Sequence, residues 1–268
     1  MWPKRSETSV ELEKYETIRL DAEDSICYLT LNRPEAGNTI NDRLIAECNH
    51  ALSLCESMAT IVVLSGSGDS FCLGADFSGL IEAYDSGHTQ GGDPGPLYDL
   101  WLRLAHGPYV SVSHVQGKAN AGGIGFVAAS DIVLAGESAQ FSLSELLFGL
   151  YPACVMPFLV RRIGLQKAHY LTLMTQPITA GQAKECGLAD AVEAQSELLL
   201  RRHIQRLRHL SKRAIRAYKS YMCHVGTPLR TMKDAAIDAN IEMFSDPVNR
   251  QIIADYVQRG VFPWESRS

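Results

Sequence analysis

Between Gln116 and Pro152 the sequence reads QGKANAGGIGFVAASDIVLAGESAQFSLSELLFGLYP, and this stretch restricts the possible folds more than any other. A β-like run, Tyr109 to Val115 (YVSVSHV), leads into Gly117, Gly122, Gly123 and Gly125, and small or apolar residues follow from Phe126 to Ser130. That order predicts a strand, a glycine turn and a helix start. Glycine lets the backbone approach a ligand closely and take dihedrals that other residues avoid. The first turn of a helix presents unpaired N–H groups carrying partial positive charge, so the combination is an anion cradle. One carboxylate, Glu145, follows in the segment SELLFGLYP, where its apolar neighbours give an acid little structural reason to sit. An N–H cradle and a half-buried acid are the parts needed to form an enolate and move its proton.

The remaining composition sets the frame. A chain of 268 residues holds one large core, here with a helical tail. Its 46% hydrophobic and 21% charged residues exclude a disordered chain. No apolar window reaches membrane-spanning length, and MWPKRSETSV lacks the apolar centre of a secretory signal. Seven cysteines without CxxC or metal-ligand spacing point to reduced thiols and a cytoplasmic location, with Cys72 and Cys154 as small buried hydrophobes. Net charge −5 argues against general nucleic-acid binding. Yet Arg201, Arg202, Arg206, Arg208, Lys212, Arg213, Arg216 and Lys219 crowd one helical region, which is either a solvated face or an attraction for phosphates or an acidic partner.

In chain order, Tyr15–Leu20 and Ser25–Leu31 alternate as a hairpin. A turn-rich loop from Asn32 follows, with Asn38 or Thr39 capping a helix from Ile40 to about Met58. Arg33 in that loop is a candidate phosphate contact. Ile61–Ser65 reads as a buried parallel strand. A second glycine-ended strand then leads to Ala75 and Asp76 at a helix start, Asp76 foremost as its cap. The region from Asp85 to Pro96 reads as a loop over the site, before a helix whose Tyr98 and His106 face the pocket. His114 reads as a hydrogen-bonded core histidine. Short helices at Cys154–Ile163, Gln166–Thr175 and Thr179–Cys186, a strand at Asp190–Val192 and helices from Ser196 complete an α/β architecture. The expected division is a core domain, 12–195, and a C-terminal helical subdomain, 196–268.

Four segments, Phe71–Phe77 (FCLGADF), the Gly117–Phe126 turn, Glu145 with Gly149 and Pro152, and Thr179–Asp190 (TAGQAKECGLAD), resemble in order and spacing the crotonase, or enoyl-CoA hydratase/isomerase, superfamily. The resemblance implies a crotonase (ClpP-like) fold of repeated ββα units, a helical region supporting trimerisation, and a thioester carbonyl held by the amides of Ala75 and Gly122. Many hydratases of that family carry a second glutamate where Gly125 stands here, so ordinary two-glutamate hydration is in question. LYDLW at Leu97, GPYV at Gly107 and the run from Phe141 to Val155 further resemble the dehydratases of β-branching cassettes in polyketide synthases, as does MFSDP at Met243. That narrower resemblance implies dehydration of a 3-hydroxy-3-methylglutaryl group on an acyl carrier protein to 3-methylglutaconyl.

On this reading Glu145, Ala75 and Gly122 are catalytic, and Asp76, Tyr98, Asn120, Gly123 and Asn240 contact substrate. Lys118 and His106 are further candidates for its distal carboxylate. Leu146, Leu147 and Phe148 would raise the Glu145 pKa. No metal site and no resident cofactor are expected, the CoA or phosphopantetheine thioester being part of the substrate. The expected partners are an acyl carrier protein, docked on the basic stretch, and further copies of the chain in a homotrimer or hexamer; neither nucleic acid nor membrane is expected. The alternatives are an enoyl-CoA hydratase/isomerase of acyl-CoA metabolism, the decarboxylase of the same cassette, or a non-catalytic scaffold.

Overall fold

Strands β1 (Val10–Glu13), β2 (Ile18–Glu23) and β3 (Ile26–Leu31) form an antiparallel meander. The structure, a computed structural model, describes residues 10–85, 92–226 and 228–265. Helix α1 (Asp42–Met58) is capped by Asn41, whose Oδ1 accepts from the Leu44 amide at 2.9 Å. Asn38, an expected cap, is instead buried at φ 55°. Its side chain accepts from the Arg33 amide and donates to the Ser67 and Ser70 carbonyls, clamping the loop that leads to the helix.

Beyond α1 the chain alternates between two sheets. β4 (Ile61–Gly66) joins β3 in parallel, and β5 (Ser70–Cys72) then leaves for a second sheet. Helices α2 (Phe77–Asp85) and α3 (Gly95–His106) intervene. β6 (Val110–Val115) returns beside β4, β7 (Lys118–Asn120) pairs with β5, and α4 (Gly122–Ala129) follows at once. β8 (Ile132–Gly136) and β9 (Gln140–Ser142) repeat the alternation before a 3-10 turn at Glu145–Phe148. Then come α5 (Met156–Ile163), α6 (Leu165–Met174), β10 (Ile178–Thr179), α7 (Ala180–Cys186) and β11 (Ala191–Glu193). Helices α8 (Ser196–Leu207), α9 (Lys212–Val225), α10 (Lys233–Ser245) and α11 (Pro247–Arg259) close the chain. Among the described residues the main sheet runs β1-β2-β3-β4-β6-β8-β11 and the small sheet β10-β9-β7-β5.

Period-two alternation in β4 explains the layering. Val62 and Leu64 pack into the large cluster with Leu44, Leu52, Trp101 and Phe126 from α1, α3 and α4. Ile61 and Val63 face the other way, against Leu199, Leu200 and Ile204 of α8. A satellite cluster of Ile81, Phe148, Leu150, Met243 and Ile253 joins α2, α10 and α11 to the Glu145 turn. The last helices therefore do two jobs within one chain: α8 covers the back of the sheet, while α10 and α11 wall the front.

Candidate active site

A cavity of about 1190 Å³ lies where the β5–α2 and β7–α4 turns meet the Glu145 turn, with α3, α10 and α11 around it. Ala75, Asn120, Gly122, Glu145, Trp101 and Asn240 are among its lining residues.

The two turns are pressed together. β5 and β7 run in parallel with Cys72 opposite Ala119, so the residues that follow each strand arrive at one level. Gly74 sits at φ 94°, and a Cβ there would meet the Ala121 Cβ at 2.8 Å and the Gly122 nitrogen at 3.3 Å. Only glycine fits such a conformation and approach. The Ile40 amide donates to the Gly74 carbonyl at 2.7 Å and the Asp76 amide to the Ile40 carbonyl at 3.0 Å, a bridge that brackets Ala75 without using its N–H. Among the described residues neither the Ala75 nor the Gly122 amide donates to any protein group. Ala121, at φ 49° and ψ −118°, sets the peptide plane that carries the Gly122 N–H. A non-glycine residue so placed stores about 1–3 kcal/mol, a strain found at functional sites.

Glu145 opens its 3-10 turn, and Gly149 closes it at φ 76°. The Leu150 amide donates back to the Glu145 carbonyl at 3.1 Å. From the C-terminal helices, Asn249 Nδ2 donates to the Met243 carbonyl at 3.1 Å, and the Met243 sulfur accepts from the Tyr151 amide at 2.9 Å. Glu145 Oε2 is buried without a hydrogen-bond partner. Burial pushes the carboxyl up to about 7, partly offset by a hydrogen bond from its own backbone. Leu147, Phe148 and Leu150 line the cavity beside it. Leu146, expected in that wall, is exposed instead.

Of the other candidates, Asp76 both lines the cavity and caps α2. Its Oδ1 accepts from the Gly79 amide at 3.2 Å and its Oδ2 from Arg33 at 2.8 Å. Arg33 also donates to the Thr39 carbonyl at 2.6 Å, so its charge is spent within the loop. Asn120 lines the cavity, but its amide binds Ser144 Oγ at 3.0 Å and accepts from Ser142 Oγ at 2.8 Å. It joins the glycine turn to the Glu145 segment.

Two expectations are corrected. Tyr98 is fully buried away from the cavity, its hydroxyl donating to the Leu229 carbonyl at 2.7 Å. Gly123 does not line the cavity either, since a Cβ there would lie 2.2 Å from the Cys72 carbonyl oxygen; it is glycine so that α4 can pack on β5. His106 and Lys118 are likewise outside the lining, and burial lowers the His106 pKa to about 4. Cys72 and Cys154 are buried, with burial raising both thiols to about 12. His114 is in the core as expected, although its Nε2 finds no partner. Of the expected loop over the site, residues 86–91 lie outside the described residues, while Gly92, Asp93 and Pro94 line the cavity.

The basic stretch is dispersed. Lys219 is buried on Asp131 at 2.6 Å, Arg202 pairs with Glu193, and Arg208 reaches Glu23 at 3.3 Å. Arg201 and Arg206 ride on α8, across the sheet from the cavity. Sequence reasoning missed Trp101 and Arg43, both of which line the cavity. The α3 face that does so carries Leu97 and Trp101, an i, i+4 pair, and Tyr98 lies one residue off it. Among the described residues no cluster of three or more His, Cys, Asp or Glu could hold a metal, and no helix is long and apolar enough to cross a membrane.

Alternating ββα units, two abutting amide-bearing turns and a buried acid define one class of protein: the chain belongs to the enoyl-CoA hydratase/isomerase family, which it matches over residues 21–267. Within that family it is 53% identical over 259 residues to the bacillaene synthase dehydratase PksH of Bacillus subtilis, covering 96% of this chain and 100% of that one. The crystal structure of the Bacillus subtilis pksH polyketide biosynthesis enoyl-CoA hydratase superposes with a TM-score of 0.91, covering 93% of this chain and 100% of that one. The 2,3-dehydroadipyl-CoA hydratase of Escherichia coli is 32% identical over 170 residues, 62% of this chain and 65% of that one.

Proposed function

We propose that the protein is a hydro-lyase of polyketide β-branching, removing water from a 3-hydroxy-3-methylglutaryl group on an acyl carrier protein to give 3-methylglutaconyl. One observation carries the reading: in a chain 53% identical to a polyketide dehydratase, a buried carboxylate without a hydrogen-bond partner shares a cavity with two unused backbone amides.

The thioester oxygen sits on the Ala75 and Gly122 N–H groups. One such donor contributes about 3 kcal/mol to an oxyanionic transition state. Ionised Glu145 takes the proton from C2, and the C–H pair becomes the enolate held on oxygen. As the carbonyl re-forms, C2=C3 is made and the C3–O bond breaks. The departing hydroxyl leaves with the proton from Glu145 as water, so a single acid suffices when both groups lie on the same face. A carboxyl with a pKa about 7 suits both transfers.

The cavity volume admits an acyl group together with part of a pantetheine arm. Arg43, an exposed cation in the cavity lining that pairs with Glu16, is assigned to the arm's phosphate. Asn240 is the lining residue assigned to the distal carboxylate. The assembly is a homotrimer or hexamer, supported by an exposed apolar strip on α9, and its setting is the cytoplasm. Intact-mass analysis of the loaded carrier tests the reading. Wild type should remove 18 Da, the mass of water, and Glu145→Gln should leave the acyl group unchanged. Loss of carbon dioxide without prior dehydration, or action on free enoyl-CoA alone, overturns it.

A further inference from the structure

Gly125 stands one helical turn beyond Gly122 on α4, and its missing side chain has a specific cause. A Cβ on Gly125 would lie 2.3, 2.5 and 2.6 Å from three ring carbons of Trp101. The indole occupies the space that a side chain at 125 would need. Phe126 and Phe158 pack edge-on against the ring, at centroid distances of 6.0 and 5.8 Å. Although only 1% exposed, Trp101 lines the cavity, and its Nε1–H has no acceptor.

Gly125 lies three residues, about 4.5 Å of helix rise, along α4 from Gly122, and Trp101 lines the same cavity as Gly122 and Glu145. With the thioester carbonyl on the Gly122 amide, C3 lies two carbon–carbon bonds away, about 2.5 Å from the carbonyl carbon. Trp101 and Gly122 line one cavity, so the indole is the wall assigned to the groups carried by C3. An alkyl branch fits against such a wall, which offers no second carboxylate and excludes water from that side.

We propose that Trp101 is the specificity-determining residue for the β-branch: its ring, seated on Gly125, fixes the size of the alkyl group accepted on C3. This deepens the dehydratase reading and rests on its placement of the carbonyl. One methylene against an apolar wall changes kcat/KM by about 10–200-fold.

The test offers carrier-bound 3-hydroxy-3-methylglutaryl and its 3-ethyl homologue in competition to wild type, Trp101→Phe and Trp101→Met, and follows each by intact mass. Cooperative thermal unfolding establishes that each variant is folded. Wild type should favour the methyl substrate at least tenfold. In both folded variants the ratio should fall at least tenfold, with the ethyl substrate gaining in absolute kcat/KM. An unchanged ratio with both rates reduced alike overturns the assignment and leaves Trp101 as core packing. Dehydration of neither substrate by wild type overturns the dehydratase reading. The Trp101 assignment is then decided by the affinity ratio of Glu145→Gln for the two loaded carriers, compared with that of the Glu145→Gln, Trp101→Met double variant. A ratio that Trp101→Met does not move counts against it.

Discussion

Glu145 carries an electrostatic cost that the resting protein bears throughout its folded life. Its carboxyl is raised to about 7 from an ordinary 4.5, chiefly by burial, so the charged form is the disfavoured one in the native state. The penalty is absent below about pH 4.5, grows as pH rises, and is complete above about 7. Glu145→Gln should therefore unfold at a higher temperature than wild type at pH 8, the two converging at pH 4.5. On the proposed mechanism activity runs in the opposite direction, because Glu145 as proton acceptor must be ionised. The kcat/KM profile should rise with pH through an apparent pKa near 7, and a flat profile between pH 6 and 8 would rule Glu145 out as the base. The place of Glu145 in the cavity wall was legible in the sequence because a lone carboxylate in an apolar run is anomalous. Tyr98 was misplaced because a helix face is decided by neighbours far along the chain, here Leu229, which no local pattern shows.

At the level of elements, the Glu145 turn is held from outside. A Cβ on Gly149 would lie 2.3 Å from Asn249 Oδ1 of α11, at a φ that side chains adopt at a cost of about 1–2 kcal/mol. Gly149→Ala should displace Asn249 from the Met243 carbonyl and lower Tm by several degrees, at about 2–4 °C per kcal/mol for a chain of this size. Its kcat should fall at least tenfold with KM little changed. A kcat equal to wild type would show that α11 does not position the acid. The long strands and helices of the main sheet were legible from their periodicity. The small sheet was legible only at β5, because segments of two or three residues such as β10 and β9 are too short to show a period. Its pairing nevertheless brings Ala75 and Gly122 together, so the site's residues could be named while the reason they meet could not.

Across the whole molecule, charge and apolar surface separate. Arg43 borders the cavity, whereas Arg206 lies behind the sheet, so charge reversal should distinguish them. Arg43→Glu should raise KM for the carrier-bound substrate severalfold with kcat held, and Arg206→Glu should change neither; the reverse pattern would place the carrier on α8. Tyr218, Tyr221, Met222 and Val225 form an exposed strip along one face of α9. Tyr221→Asp combined with Met222→Asp should shift light-scattering mass toward the 29.5 kDa monomer, and an unchanged mass would place the assembly contact elsewhere.

A line of rings runs out from the acid's turn. Phe77 meets Phe148 at 5.6 Å, Phe148 meets Tyr256 at 5.0 Å, Tyr256 meets Phe262 at 5.1 Å, and Phe262 stacks on the half-exposed Trp264 at 4.7 Å. The chain near residue 264 is thus joined by continuous ring contacts to the turn that carries Glu145. A protease nick after Gly260, or a bulky purification tag fused close behind Trp264, would act as an active-site lesion in a molecule whose sheets remained intact.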